Sequence, residues 1–208
     1  MKENKNHWYD GLFYDVFIAP NQDKSFRLVK SIIKENSNVL DAGCGTGRFS
    51  FSVEDKVNKV DGVDLSERNI KVAMNKLTKK NSPKIKFYHS EINHFFENGD
   101  KHYDYAVMSY VIHEVDEHLR NNILKTLSEN ADKVILIDYM HPRPSSYWSW
   151  LNEAVEFVAG REHYSNFKSY LKNNGLRGLA EQNKLKITKE IKNTPSTSHI
   201  VVLEKEKQ

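Results

Sequence analysis

Residues 39–47 read Val-Leu-Asp-Ala-Gly-Cys-Gly-Thr-Gly. The apolar residues before Asp41 suit a buried strand. Gly43, Gly45 and Gly47, at alternate positions, suit a tight turn into a helix carrying Phe49 and Phe51. Glycine has no Cβ, so the chain can turn sharply there and a ligand can lie against the backbone. A strand, such a turn and a helix N-terminus together are how open α/β sheets hold nucleotide-like molecules. The spacing narrows the ligand. A dinucleotide fingerprint is G-x-G-x-x-G, and a phosphate loop ends in Gly-Lys. Here the order is D-x-G-x-G-x-G with no lysine after Gly47. An aspartate at the strand end suits a ligand with a positive group better than a phosphate.

The chain then alternates strand with helix. Strands are expected at 38–42, 59–64 (ending at Asp64), 85–89, 105–108 and 134–137. Between them Ser66 caps a helix with Ile70, Ala73, Met74 and Leu77 on one face, and Leu119, Ile123 and Leu127 form the stripe of another. This rhythm implies a doubly wound, mostly parallel α/β sheet with helices on both faces. Residues 141–182 depart from it as a helical insertion. Trp148, Leu151, Val155 and Val158 recur there at helical spacing, widened by Tyr147, Trp150, Ala154 and Phe157. A second helix carries Phe167, Tyr170 and Leu171, with Gly175 as its stop. Segments 185–191 and 199–203 alternate as two antiparallel strands joined through residues 193–196, giving seven strands with a C-terminal hairpin. One domain over residues 1–208 is expected, with an N-terminal arm and helix over 1–35.

Composition excludes several classes. Lys and Arg (31) nearly balance Asp and Glu (28), and the basic residues are dispersed, which argues for solvated faces and against a nucleic-acid stripe. No apolar run approaches a membrane span, and residues 1–6 do not read as a signal peptide, so a cytoplasmic protein is expected. The single cysteine, Cys44, cannot form an intrachain disulfide or a thiolate metal site, and reads as a small residue packed in the turn. No acidic cluster suggests a magnesium-dependent catechol reaction, and no metal is expected. Nothing in the sequence reports the oligomeric state.

The glycine turn resembles motif I of the class I S-adenosylmethionine-dependent methyltransferases, specifically the small type-11-like enzymes that include the menaquinone methyltransferase group. The resemblance runs from about Tyr9 to Val202. It implies S-adenosylmethionine as methyl donor and S-adenosylhomocysteine as product. Asp64 would hold the ribose diol, Leu65 would face the adenine, and Asp41 would orient the ammonium alongside the backbone of Gly43, Cys44, Gly45 and Gly47. Ser90 or Glu91 would accept from the adenine amine and Ile92 would pack on the ring, although the family more often shows Gly-Asp-Ala at this point. Ser109 and Tyr110 would stand beside the methyl group. The Tyr14-Asp15 arm either closes over the donor or packs on the sheet.

For catalysis the candidates are His113 and Tyr110. His113 is either a general base, since an imidazole titrates near neutrality, or a helix-start histidine bonded to backbone. The strand-four sequence Met108-Ser109-Tyr110-Val111 lacks the N-P-P-Y pattern that grips a base's exocyclic amine, which disfavours nucleobase N-methylation. The acceptor should be a small, partly apolar molecule under an aromatic lid of Tyr147, Trp148, Trp150 and Tyr164, with His141, Arg161 and His163 as polar points. The competing readings are a nicotinamide-dependent oxidoreductase, a non-catalytic donor-binding module, and an RNA or protein methyltransferase.

Overall fold

A computed structural model describes residues 19–97, 99, 101–158, 160–193 and 197–206. Tyr14 and the rest of the N-terminal arm lie outside the described residues, as do 194–196 of the hairpin turn. Seven strands form one sheet: β1 (Asn38–Ala42), β2 (Lys59–Asp64), β3 (Ile85–His89), β4 (Tyr103–Ser109), β5 (Ala131–Tyr139), β6 (Leu185–Lys192) and β7 (Ser198–Lys205). Their order is β3-β2-β1-β4-β5-β7-β6. The first five run parallel, and β7 lies antiparallel between β5 and β6. The expected α/β architecture with a C-terminal antiparallel hairpin is therefore the one observed.

Alternate residues of a strand point to opposite faces, and the two faces bury separate cores. Val39, Val60, Tyr105, Val107 and Ile135 pack against α1 (Ala19–Ile32), α2 (Arg48–Val53) and α3 (Glu67–Lys80) through Phe26, Val29, Phe49, Ile70 and Ala73. Leu40, Val63, Ala106, Met108 and Leu136 face the other way. They meet Phe95 of α4 (Ile92–Glu97) and Leu124 and Leu127 of α5 (Glu117–Glu129). The same core takes in Phe167 and Tyr170 of α7 (Arg161–Lys172) and Leu179 of α8 (Gly175–Gln182). Burying a large apolar side chain contributes about 1.5–3 kcal/mol, so each face stabilises the sheet independently.

The structure corrects several sequence expectations. β4 and β5 extend past the expected 105–108 and 134–137 at both ends. On α5 the buried face carries Arg120, Leu124 and Leu127, and Leu119 is exposed. A guanidinium can occupy that central place because its donors are satisfied: Nε reaches the Val115 carbonyl at 2.9 Å, and Nη2 reaches the Asn166 carbonyl at 2.6 Å. Met74 is likewise exposed on α3. Gly175 does not stop α7, which ends at Lys172; it opens α8 in a left-handed conformation, φ 57°. The largest departure is α6 (Tyr147–Val158), whose buried residues are Ser149 and Glu156 while Trp148 and Val158 of the expected apolar stripe are exposed.

Candidate active site

β1, β2 and β4 bring their C-terminal ends together around the glycine turn. Gly43, Gly45 and Gly47 have φ of 74°, 52° and 79°, a region that side-chain-bearing residues rarely adopt. Gly43 and Gly47 also have no room for a side chain. A Cβ would lie 2.7 Å from Val111 Cγ2 at the first and 2.5 Å from Phe87 Cζ at the second, whereas at Gly45 it would meet nothing within 4 Å. The backbone at Gly45 is therefore open for a ligand to approach. The turn is stitched to β2: the amides of Gly43 and Cys44 both donate to the Val63 carbonyl, at 2.8 and 3.0 Å. The Gly45 amide donates to Asp64 Oδ2 at 2.8 Å, and the Ser66 amide to Oδ1 at 2.8 Å. Burial raises the Asp64 carboxyl above its usual range, against the pull of these two amides. Leu65 follows it, 66% exposed.

Asp41 sits beneath the turn. Its Oδ2 accepts from the Ser50 hydroxyl at 2.5 Å and the Ser50 amide at 3.2 Å, tying β1 to α2. Burial pushes its pKa to about 7, despite the Ser50 hydrogen bonds. Cys44 is buried, and burial likewise pushes its thiol far up, which makes it a packing residue and no nucleophile. Just past β3 the Ser90 amide donates to the Asp64 carbonyl at 3.1 Å; Glu91 is exposed, and Ile92, the first residue of α4, is half-buried against the core.

The second constellation lies over the ends of β4 and β5. Ser109 closes β4 with a buried hydroxyl that has no hydrogen-bond partner among the described residues. Tyr110 adopts a left-handed backbone, φ 57°, which sends its ring toward α1 and β7. Its hydroxyl lies 3.1 Å from both Ser25 Oγ and Ser198 Oγ. His113 is 2% exposed. Its Nδ1 lies 2.7 Å from Asp138 Oδ1 and its Nε2 lies 3.5 Å from Glu156 Oε1, though neither nitrogen makes a well-aligned hydrogen bond. Burial alone would depress the imidazole; the charges of Asp138 and Glu156 overcome it and hold His113 well above its usual value. Glu156 also accepts from the Tyr139 hydroxyl at 3.0 Å, and its Oε2 lies 3.8 Å from His163 Nδ1. Burial would raise its carboxyl, but His113, His163 and Tyr139 together lower it to about 2. Glu114 borders the group, 3.7 Å from His113 Nε2 and 3.8 Å from His163 Nε2.

Residues 39–139 match a family model described as a methyltransferase domain. A malonyl-[acyl-carrier protein] O-methyltransferase from Ilyobacter polytropus is 29% identical over 104 residues, covering 49% of this chain and 37% of that protein. A putative ribosomal RNA large subunit methyltransferase from Methanocaldococcus jannaschii is 34% identical over 91 residues, 41% of this chain and 23% of that protein. The matches thus span well under half the length of either curated relative. Among solved structures, the magnesium protoporphyrin IX methyltransferase of Synechocystis PCC 6803 with bound S-adenosylhomocysteine superposes with a TM-score of 0.68 at 18% identity, over 95% of this chain and 91% of that one. Residues 39–139 are thus similar to methyltransferase domains, and the chain shares the fold of solved S-adenosylmethionine-dependent methyltransferases.

The methyl donor of such enzymes is S-adenosylmethionine, and the geometry of this site fits it. The open backbone at Gly45 and the exposed Leu65 leave room for an adenosyl group. Each Asp64 oxygen keeps a second lone pair after accepting its amide. Among the expected site residues, the structure brings Asp41, Gly43, Cys44, Gly45, Gly47, Asp64, Leu65 and Ser90 to one edge, and His113 near His163 around Glu114 and Glu156. His141 is held apart by Asn174, Nδ1 to Oδ1 2.9 Å, and Tyr164 donates to Glu153 at 2.8 Å. Tyr147, Trp148 and Trp150 lie on the exposed face of α6. Sequence reasoning missed Asp138, Tyr139 and Glu156. Asp138 had a legible signal, an acid ending an apolar strand just as Asp64 does. Glu156 had a weaker one, a lone acid among Val155, Phe157 and Val158.

Proposed function

We propose that this protein transfers a methyl group from S-adenosylmethionine to a small, partly apolar acceptor seated over the ends of β4 and β5. The observation that carries the reading is the pairing of an open glycine turn with Asp64, whose carboxylate spans the Gly45 and Ser66 amides at 2.8 Å each. Asp64 holds the ribose diol through its remaining lone pairs, Leu65 faces the adenine, and Ser90 and Ile92 border the ring. Asp41 lies below the turn, where an ammonium at Gly43 would meet its charge. Ser109 and the Tyr110 backbone line the methyl group.

The donor's sulfonium is already activated toward displacement. The protein's own work is to align the acceptor with the S–CH₃ bond and to exclude water. Orientation of this kind lowers a barrier by about 7–11 kcal/mol, more than a general base supplies. His113 and His163, with Tyr139, form the polar wall of the acceptor chamber, and Asp138 fixes the His113 ring. The helical segment from α6 to α8 acts as the lid, placed between β5 and β6.

Isothermal calorimetry with S-adenosylhomocysteine tests the donor half of this reading. A carboxylate accepting from a neutral donor contributes about 1.5–3 kcal/mol, so Asp64→Ala is expected to weaken binding at least tenfold. Unchanged affinity in that variant would refute the assignment.

A further inference from the structure

Helix α6 is inside out. It buries Ser149 and Glu156, two turns apart on one face, while Tyr147, Trp150 and Phe157 are 65–68% exposed. A helix seated by apolar burial turns its apolar stripe inward. This one is held by carboxylates. Glu153 pairs with Arg143 at 2.5 Å and accepts from Tyr164 at 2.8 Å and Lys168 at 3.3 Å. Glu156 reaches deeper, to the Tyr139 hydroxyl at 3.0 Å, His113 Nε2 at 3.5 Å and His163 Nδ1 at 3.8 Å.

The groups around Glu156 belong to three other elements: the turn after β4, the end of β5, and α7. α7 is fixed in the core by Phe167, Tyr170 and Leu171, and β5 by the sheet. The cradle therefore persists without α6, whereas α6 has little apolar burial of its own to hold it. The cradle also lies beside the end of β4, where the methyl transfer proposed above would take place. The Tyr139 ring centroid is 4.8 Å from that of His113 and 6.4 Å from that of Tyr110, which follows Ser109 directly. Two imidazoles and a phenol thus surround one two-oxygen anion beside the acceptor position proposed above.

We propose that Glu156 stands in for the acceptor's own carboxylate: the acceptor is a small carboxylic acid, partly apolar, that displaces Glu156 from Tyr139, His113 and His163 as α6 lifts away. This rests on the methyltransferase reading above. Charge suits an anion in this place: His113 is held toward its protonated form by Asp138 and Glu156, and His163 chiefly by Glu156, so a ligand carboxylate that displaces Glu156 takes over its pairing. The chemistry is balanced without a base. A carboxylate oxygen supplies the electron pair of the new O–CH₃ bond, the pair of the broken C–S bond stays on sulfur, and the carboxylate's negative charge cancels the sulfonium's positive one. The product is a neutral methyl ester, no proton has to leave, and the imidazoles serve as donors. Having lost its charge, the ester no longer competes with Glu156 for the cradle.

Calorimetry with benzoate, at saturating S-adenosylhomocysteine, tests this on the full chain. Glu156→Ala is expected to bind benzoate at least tenfold more tightly than the unaltered protein, to bind the neutral analogue benzyl alcohol at least tenfold more weakly than benzoate, and to lose the benzoate gain when His163→Asn is added. Glu156→Gln, which preserves shape, should show a smaller gain of the same sign and covers the case in which the alanine variant does not fold. Equal benzoate affinity in all variants, or benzyl alcohol binding as well as benzoate, overturns the proposal. S-adenosylhomocysteine affinity in the same samples separates the two readings: if it stays within twofold while the benzoate gain is absent, the acceptor class falls and the methyltransferase stands.

Discussion

At the scale of single residues, the site is governed by carboxyl groups that burial has pushed out of their ordinary range. Asp41 is the clearest, with its pKa raised to about 7 by burial. A folded value above the unfolded one means that the folded state keeps a proton the unfolded state has lost, so this group's contribution to stability falls as pH rises from about 4 to about 7. A cation beside Asp41 favours its ionised form. If the donor's ammonium rests there, binding expels the proton, and affinity should rise with pH and level off above about 7. One pKa unit corresponds to a factor of ten, so S-adenosylhomocysteine should bind about tenfold more tightly at pH 8 than at pH 6. Asp41→Asn should flatten that dependence. Calorimetry in buffers of different ionisation enthalpy would count the released proton directly, and a pH-independent affinity would place the ammonium elsewhere.

At the scale of elements, the strands were legible and the helical segment was not. β1, β2 and β3 fall where the sequence puts them, because an apolar run flanked by Gly, Asp or Pro has few other ways to bury both faces. Ser66 is the expected cap, accepting from the Asn69 amide at 3.2 Å. The periodicity of α6 was legible too, but not its orientation. A period says that a helix has two faces; which face turns inward depends on partners far along the chain, here Tyr139, His113 and His163. The same blindness displaced the α5 stripe, where Arg120 takes a core position only because carbonyls of Val115 and Asn166 receive it. Since α6 is held by charge, its attachment should titrate. Glu156, lowered to about 2, contributes stability above its unfolded value near 4.5 and loses it as pH falls toward 2. His113, raised above 6.5, contributes below that value and loses it as pH rises through its folded pKa. Hydrogen–deuterium exchange across 147–158, corrected for intrinsic rates, should therefore be slowest between about pH 5 and 6 and accelerate as pH rises above the ordinary imidazole value of 6.5. Glu156→Gln should remove the acid limb of that profile.

At the scale of the whole molecule, the sheet divides its labour along the strand direction. The C-terminal ends of β1, β2, β4 and β5 carry Asp41, Asp64, Ser109 and Asp138, whereas the buried polar groups nearer the other edge serve the scaffold. There Tyr103, at the start of β4, donates to Asp61 Oδ2 at 2.7 Å, and Lys59 pairs with the same oxygen at 2.5 Å. Asp61 is 1% exposed and its Oδ1 makes no well-formed hydrogen bond among the described residues, so the Tyr103 hydroxyl is one of few groups that make this carboxylate tolerable inside the protein. Removing one donor from a buried acceptor costs about 1–3 kcal/mol. For a chain of this length each kcal/mol lowers the melting temperature by about 2–4 °C. Tyr103→Phe should accordingly melt about 2–12 °C lower, yet bind S-adenosylhomocysteine within about twofold of the unaltered protein, because the lost hydrogen bond is to Asp61, which is no part of the donor site. A variant that kept its melting temperature, or one that lost the ligand along with stability, would mean that the two edges of the sheet are not independent.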